Sequence, residues 1–585
     1  MKTKSLIVNF PGYPFDINQL LPVHQLASVA ACLLAEGHET QICDFATPDT
    51  MATLFPAEAR DTATALADYL LMDSVPNPMT TLHLLWRVRT ADRAYRRRHG
   101  VACARATGWL ASARHLDFVV LHLATADDFH GAATMAEGIK ALRPGVGIVV
   151  LGAFADLFAV DLLDAAQAFD CVCVGDPEHG IVGLADSIHE RDSWRRIPNL
   201  VYRDGGRAVA TERRTVVNLD HLPAPAYEQE VYPAVAAGDK LHLFGIEESR
   251  GCGGSCRGCP QAGGPGRDRE AGPLSRRTKS AAAVCDEIEA LAGRYGASAF
   301  RILGSGTEAS RIDGVASAIL ARGIRASYTR TVHPAAADAP GGGAKRPEQC
   351  EVLLRGLQAS GCVGLTVHAE TGSQRLLDDH FGAGFTVTQL ERVLRGARGQ
   401  GLFTVARLTF PTPPDDRHTR AETLRLLERT MPHAAPVEMP LVLPGSAWYS
   451  NAASFGYAIS RRHHFARILR HRTQFPLPPD RWRLLPQGAD TLSPGQAIAA
   501  HEELLCDIRQ QGILAAGFDG APLLAQAAGH NGPLGEFIVQ LQRDLLTGNA
   551  PAVARLVARF NQGIRVAGTR AGLHPYAPAE KAANN

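Results

Sequence analysis

The chain has almost no net charge, because 60 basic side chains balance 59 acidic ones and leave a formal charge of +1 at pH 7 over 585 residues. Proteins that bind nucleic acid usually carry a basic excess, so this class is disfavoured. No stretch approaches the ~20 consecutive apolar residues of a membrane helix, and the apolar start of the chain is too short for a signal peptide. We therefore expect a cytoplasmic protein without a nucleic-acid or membrane partner.

Disulfides are also not expected, although the chain has 12 cysteines. In a reducing compartment such a number does not indicate a disulfide framework. Nine of the cysteines are scattered along the chain, and most are predicted to be small core residues. The other three, Cys252, Cys256 and Cys259, lie within eight positions of one another and require a separate explanation.

The first part of the chain, residues 1–195, alternates predicted strands with predicted helices, which is typical of a parallel sheet. A long insert at 50–112 interrupts this alternation with helical character and a basic stretch at 87–100. A solvated helix face is the simpler interpretation of that stretch, and a dock for an acidic partner or the substrate is the alternative. The predicted strands are 5–10, 40–45, 117–124, 146–154 and 170–175.

A second α/β region follows a connection at 196–240, which we interpret as a hairpin and a Pro-rich linker. Residues 241–450 contain six predicted strands separated by helical segments, which indicates a partial (β/α)6 barrel with its chemistry at the carboxyl ends of the strands. Residues 451–585 are predicted to form a mainly helical C-terminal cap. The six strands are predicted at 241–251, 298–304, 325–330, 364–370, 401–410 and 437–445.

The three clustered cysteines form a Cys-x3-Cys-x2-Cys motif directly after the first strand of the second region. Three thiolates on one glycine-rich loop can hold three irons of a [4Fe–4S] cluster and leave the fourth iron open for chemistry. A zinc site usually needs four protein ligands, and no second Cys/His pair lies nearby. A redox dithiol is the other alternative, but it normally opens a helix in a thioredoxin-like fold. The agreement of strand, loop and barrel pattern favours the open-site cluster.

On these residues, segment 240–450 resembles the radical S-adenosylmethionine (SAM) superfamily. Further segments resemble it at the second strand (301–308), the fourth strand (361–377) and the turn after the sixth (440–449). The resemblance implies that SAM binds the open iron and contacts Ser305, Glu308 and Glu370. As alternatives, the first two could cap a helix and Glu370 could be a salt-bridged barrel residue.

The order of domain, linker, cysteine loop and barrel resembles the cobalamin (B12)-dependent radical SAM enzymes. The wording of segments 151–156, 173–181 and 218–225 agrees with this. The resemblance implies a Rossmann-like cobalamin-binding domain, in which Thr125, Gly152 and Gly175 lie beside the corrin or its nucleotide tail. The chain lacks an Asp-x-His-x-x-Gly motif for ligating cobalt, so cobalamin without a His ligand is implied. Loss of the cofactor is the alternative.

Members of this family are mostly methyltransferases. The resemblance therefore implies transfer of a methyl group from SAM, through cobalamin, to an unactivated carbon of a small-molecule or peptide-derived natural-product precursor, with an external electron donor. The opening VNFPGYPF resembles the tryptophan 2-C-methyltransferases of thiopeptide antibiotic biosynthesis. In that subset a side chain caps cobalt without coordinating it, for which Arg60, Arg87 and Arg89 are candidates. Asp268 or Glu270 could approach the fourth iron, with solvated loop charges as the alternative interpretation of these two residues. The alternatives are a non-methylating rearrangement or cyclisation by a 5′-deoxyadenosyl radical, and a non-catalytic sensor.

Overall fold

The structure is a computed structural model, and its chain divides into two compact units that are each discontinuous in sequence. The first comprises Met1–Leu241, Arg461–Leu484 and Leu541–Ala558, and the second comprises His242–Ser460, Leu485–Gln540 and Arg559–Asn585. The region 451–585, which the sequence predicts as one C-terminal domain, is therefore distributed over both units. The residues described are 2–11, 16–55, 78–261, 276–306, 308–337, 347–472, 487–489 and 491–569.

The first unit is built on a seven-stranded sheet with the order β2-β1-β3-β4-β5-β6-β7. Strands β1 to β5 are parallel, and their order is that of a doubly wound, flavodoxin-like sheet. The central strands have the sequences FVVLH and GIVVL and are almost entirely buried, as expected for a parallel sheet covered on both faces. This confirms the predicted Rossmann-like fold. The strands are β1 Lys4–Asn9, β2 Glu39–Asp44, β3 Phe118–His122, β4 Gly147–Leu151, β5 Cys171–Cys173, β6 Leu200–Asp204 and β7 Arg207–Ala210.

The predicted hairpin is present as β6 and β7, which pair antiparallel. Gly205 and Gly206 both have positive φ, at 55° and 82°, as a two-residue hairpin turn of this type requires. Strand β6 also pairs antiparallel with β5. The hairpin therefore extends the first sheet rather than leading away from it.

Helices flank the first sheet, and one of them forms much of the predicted insert. Within the described residues, the stretch Ile17–Ala35 is long and apolar enough to cross a membrane, but 67% of its most apolar window is buried in the protein, as in a core helix. The helix over the insert runs from Pro78 to Ser112, and residues 56–77 lie outside the described part. The α-helices up to residue 241 are His24–Ala35, Pro48–Leu54, Pro78–Ser112, Phe129–Leu142, Ala153–Ala165, Pro177–Ser187 and Pro233–Ala236.

The second unit contains a six-stranded parallel sheet in which neighbouring strands follow one another along the chain, in the order β15-β14-β13-β12-β11-β8. Consecutive parallel strands joined by helices wind in one direction, which confirms the predicted partial (β/α)6 barrel. The strands are β8 Phe244–Glu247, β9 Ser249–Arg250, β10 Arg277–Thr278, β11 Ala299–Leu303, β12 Ser327–Thr331, β13 Cys362–Glu370, β14 Phe403–Thr409, β15 Val437–Glu438, β16 Tyr457–Ala458 and β17 Gly488–Ala489.

The inner face of this sheet changes character along β13 and β14. Near the amino ends of the strands, Phe403 and Val405 pack against Ala521, Leu534 and Ile538 in one buried apolar cluster. Further along, the same face carries Arg407 and Thr409, which remain partly exposed. Segments after residue 485 therefore fill the amino half of the interior, while the carboxyl half is polar and open.

The remaining helices cover the second sheet or belong to the discontinuous segments. They are Ala281–Tyr295, Ala309–Ala321, Pro347–Ala359, Gln374–Leu376, Val387–Gly399, Arg417–Thr430, Ala447–Ser450, His464–Arg472, Pro494–Gln510, Ala521–Ala527, Leu534–Leu546 and Ala550–Thr569.

Candidate active site

The cysteine motif lies in a loop that leaves the first strand of the second sheet. A buried ion pair anchors the start of this loop, because both carboxylate oxygens of Glu248 accept from Arg330 Nη2, at 3.2 and 2.9 Å. Arg330 lies on β12, so the loop exit is tied to a strand two places away in the sheet. The loop therefore begins at the carboxyl edge, where the sequence placed the chemistry.

Backbone hydrogen bonds hold the second half of the loop in place. Arg257 N donates to Phe381 O at 2.7 Å, and Trp448 N donates to Arg257 O at 3.1 Å. The Ser255 hydroxyl donates to Gly382 O at 3.1 Å. The short π-helix Leu377–Phe381, which follows β13, and the turn before Trp448 thus clamp the loop from two sides.

An aromatic group supports this clamp. The indole of Trp448 donates from Nε1 to His380 O at 3.0 Å and has its ring centroid 4.8 Å from that of His380. A Cβ on Gly258 would lie 2.8 Å from Cζ3 of Trp448, so only glycine lets the loop lie flat on this ring. Sequence reasoning identified segment 440–449 as a turn but missed Trp448, since contacts between distant segments leave no local pattern.

The three thiols are half-buried and lie on one short loop. A Cβ on Gly254 would stand 3.2 Å from Cys252 Sγ and 3.9 Å from Cys256 Sγ, so glycine keeps the region between these sulfurs free. Burial, reinforced by Glu370 and the thiols of Cys259 and Cys252, raises the pKa of Cys256 to about 12. The shift in the pKa of Cys256 therefore reflects burial first and neighbouring negative charge second.

A four-iron cluster and a single metal ion make different demands on the three cysteines. Among the described residues, no group of three or more His, Cys, Asp or Glu side chains converges on one ion. In a four-iron cluster each cysteine binds a different iron, so the thiolates surround a body rather than a point. The assignment of Cys252, Cys256 and Cys259 as cluster ligands therefore stays a prediction from their spacing.

The two residues predicted near the methionine end of SAM lie after β11. Ser305 N donates to the hydroxyl of Ser249 at 3.4 Å, which places it beside the start of the cysteine loop. Glu308 precedes the helix Ala309–Ala321, makes no capping hydrogen bond with its side chain and forms an ion pair with Arg276. The alternative that Glu308 caps this helix is therefore wrong. Its side chain is 41% exposed.

Glu370, the third predicted SAM residue, ends β13 in an unusual backbone conformation. Its φ is +59°, and the pairing of β13 with β14 shifts register between His368 and Glu370. The Thr409 hydroxyl donates to Glu370 Oε2 at 2.6 Å. Burial raises the pKa of Glu370, and this hydrogen bond and Arg407 partly oppose the shift. The bulge thus holds the carboxylate near Cys256.

The residues predicted for cobalamin lie together at the carboxyl edge of the first sheet. Thr125, Gly152 and Gly175 follow the neighbouring strands β3, β4 and β5. The Thr125 hydroxyl and backbone N–H donate to Asp128 Oδ2 at 3.2 and 2.8 Å. Burial raises the pKa of Asp128 to about 7, against the effect of these hydrogen bonds.

The backbone conformation at Gly152 and Gly175 favours glycine at both positions. Gly152 has φ +125°, and a Cβ there would lie 2.3 Å from Leu123 O. Gly175 has φ +72°, and its N–H donates to Asp156 Oδ1 at 2.8 Å. Both turns are therefore without side chains; Gly152 is buried and Gly175 is exposed.

A segment remote in sequence contributes to the same edge. Phe465, in the helix His464–Arg472 of the first unit, has its ring centroid 5.6 Å from that of Phe129, 5.9 Å from that of Phe154 and 5.5 Å from that of Phe158. Sequence reasoning assigned this basic segment to a C-terminal cap. The apolar residues Phe465 and Ile468, which are buried in the structure, were the only sign within this basic segment that one side of it packs against the protein.

Some of the predicted residues are not tested by the structure. Arg60, Asp268 and Glu270 lie outside the described residues, and for Arg87 and Arg89 only the helical backbone is described.

Solved structures of other proteins have a fold similar to that of this chain. No family model matches the chain, and no curated protein matches it in sequence. A solved structure of the radical SAM methyltransferase TsrM from Kitasatospora setae, with cobalamin and a [4Fe–4S] cluster bound, has TM-score 0.62 at 14% identity and covers 94% of this chain and 100% of that one. TsrM with tryptophan and a SAM analogue bound has TM-score 0.53 at 16% identity, covering 76% and 75%. The cobalamin-dependent SAM radical enzyme OxsB, with aqua-cobalamin and SAM bound, has TM-score 0.53 at 12% identity, covering 93% and 72%. The chain therefore shares the two-part fold of these enzymes.

Proposed function

We propose that this protein is a cobalamin-dependent radical SAM C-methyltransferase. The observation that carries the proposal is the clamped loop that presents three half-buried thiols at the carboxyl edge of the parallel sheet. An α/β unit with a glycine-lined carboxyl edge accompanies this sheet in the same chain. Solved structures with this fold contain the cluster, SAM and cobalamin.

The residues of the chain have distinct tasks in this proposal. Cys252, Cys256 and Cys259 hold the cluster, and the loop clamp fixes their positions. Glu370 faces the cysteine loop with an acceptor oxygen available to SAM, while Ser305 borders the same space. Together, the bound cofactors supply a methyl group that SAM releases and that cobalamin can pass to a carbon.

The first unit holds cobalamin at Thr125, Gly152 and Gly175 in this proposal. Strand ends of a doubly wound sheet are the usual position for a nucleotide-containing ligand, because backbone N–H groups point outward there. Asp128 fixes the turn of Thr125, and the side-chain-free turns at the two glycines let the ligand approach the backbone.

For the substrate we propose free L-tryptophan methylated at C2, in a natural-product pathway. Support comes from the likeness to TsrM over 94% of this chain and the whole of that one, together with the opening residues VNFPGYPF. An external donor supplies the electron that reduces the cluster. All twelve cysteines lie in the described part of the chain and none of them forms a disulfide there, which suits a reducing cytoplasm.

Cofactor analysis after anaerobic reconstitution with iron, sulfide and hydroxocobalamin tests the proposal. We expect about four irons per chain, as one [4Fe–4S] cluster requires, together with one corrinoid. Cys256→Ala should lose most of the iron, whereas Cys506→Ala, at a half-buried cysteine outside the motif, should keep it. Iron without corrinoid would refute the assignment of the first unit, and equal iron in both variants would refute the cluster.

Product analysis then separates the reaction types. With SAM and L-tryptophan, a methyltransferase forms S-adenosylhomocysteine and methylated tryptophan. A non-methylating radical enzyme forms 5′-deoxyadenosine and leaves tryptophan without a new methyl group, and this result would overturn the methyltransferase assignment.

A further inference from the structure

The inner face of the second sheet presents a histidine that the proposed cofactor site does not use. His368 on β13 is exposed, whereas its neighbours Val367 and Ala369 are fully buried on the opposite face. Two residues earlier on the same face, the hydroxyl of Thr366 hydrogen-bonds to the Asp519 carboxylate inside the sheet. Since side chains alternate along a strand, His368 points into the open carboxyl half of the interior.

The surroundings of His368 are polar and contain an ion pair. It lies directly opposite Arg407 in the pairing of β13 with β14, and Arg407 pairs with Glu438 on β15. Enclosure by the protein, with smaller effects of Arg407 and His333, lowers the pKa of His368 to about 4. Within the described part of the chain, the imidazole has no hydrogen-bond or ion-pair partner. It is a neutral, water-accessible imidazole at pH 7.

His368 is close in sequence to the carboxylate that faces the cysteine loop. Glu370, two residues further along β13, couples electrostatically to Cys256. The register shift and the positive φ of Glu370 occur between these two positions. Strained backbone of this kind is concentrated at functional sites, because the rest of the fold must maintain it. The strand therefore carries the Glu370 carboxylate toward Cys256 and the His368 imidazole into the open carboxyl half of the interior.

We propose that His368 accepts the proton that the substrate loses during methylation, and this inference rests on the proposed function. In the net reaction the sulfonium of SAM gives up a methyl group without the S–C electron pair, and a C–C bond forms at the indole carbon. The C–H bond at that carbon breaks, its electron pair returns to the ring, and the proton passes to His368. The products are S-adenosylhomocysteine, methylated tryptophan and a protonated imidazole, so atoms and charge balance.

Steady-state kinetics of His368→Gln with SAM and L-tryptophan test this role. Glutamine keeps a polar side chain but cannot take up the proton, so we expect kcat for methylated tryptophan to fall by about 100-fold or more, with KM little changed. Iron and corrinoid content should equal those of the wild type. His368→Asn serves as a second variant. His333→Gln is the control, because His333 is a neighbouring imidazole that packs on Phe385. It should keep kcat within about threefold of the wild type, since removing one neutral group nearby changes the barrier by under 1 kcal/mol.

Each outcome decides the question. Full kcat in His368→Gln or His368→Asn overturns the inference, and so does an equal loss in His333→Gln. A wild type that holds both cofactors but forms no methylated tryptophan also overturns it, while the cofactor assignment stands. A wild type without iron or corrinoid refutes the proposed function itself.

Discussion

A buried ion pair in the first unit allows a quantitative test of how that unit is held together. Lys240 Nζ lies 2.8 Å from Asp44 Oδ2, and both side chains are 0% exposed. The Tyr232 hydroxyl donates to the same carboxylate at 2.6 Å, and Asn9 Nδ2 donates to it at 2.9 Å. Burial lowers the pKa of Lys240, and Asp44 offsets part of that effect. Each charge is therefore tolerated because the other is present.

Lys240→Met should be strongly destabilising, because it leaves the Asp44 carboxylate buried without its cation. Removing one partner of a buried pair costs about 3–5 kcal/mol. With a urea m-value of about 3 kcal/mol/M, the midpoint of unfolding should fall by roughly 1 M or more. The double variant Lys240→Met/Asp44→Asn should cost less than the sum of the two single changes, since it leaves no unpaired charge.

Urea titration followed by far-UV circular dichroism measures these midpoints. Lys4→Met is the matched control, because Lys4 pairs with Glu39 at 3.4 Å on the surface, with exposures of 41% and 76%. Exposed pairs contribute about 1 kcal/mol or less. The reasoning is refuted if Lys240→Met is no more destabilising than Lys4→Met, or if the double variant costs the full sum.

Two further predictions concern the carboxyl edge of the first sheet. Gly152→Val should lower both the urea midpoint and the corrinoid content, because its Cβ would lie 2.3 Å from Leu123 O. Gly145→Val is the control and should change neither, because a Cβ at Gly145 would meet no atom within 4 Å. Equal effects at both positions would contradict this prediction. The raised pKa of Asp128, about 7 in the folded state against about 3.9 unfolded, means that the folded state binds more protons between these values. The free energy of unfolding should therefore fall as pH rises from about 4 to about 7. Asp128→Asn should flatten this part of the plot of urea midpoint against pH. An unchanged slope in this variant would show that Asp128 does not cause the pH dependence.

The alternation of strands and helices was sufficient to predict both sheets. Parallel strands place their carboxyl ends at one edge, so Thr125, Gly152 and Gly175 could be brought together from their positions after three successive strands. The same logic placed Glu370 and the cysteine loop at one edge of the second sheet. These predictions needed only local periodicity and a general rule of topology.

Long-range contacts could not be predicted in this way. The clamp of Trp448 on the cysteine loop and the packing of Phe465 depend on residues separated by more than a hundred positions. The pairing of Lys240 with Asp44 has no signature either, since a lysine near a linker reads as a surface residue. The exposure of His368 depends on which segments fill the interior of the second sheet, and no local pattern indicates that segments after residue 485 occupy its amino half.

The discontinuity of the two units has a consequence for synthesis on the ribosome. The first unit needs Arg461–Leu484 and Leu541–Ala558, so its sheet emerges hundreds of residues before the segment that covers Phe129, Phe154 and Phe158. Until then, apolar surface at that edge stays uncovered, and such intermediates are prone to aggregate. A nascent chain halted near residue 460 should therefore bind a chaperone more strongly than the finished protein, although it already contains every strand of the first sheet.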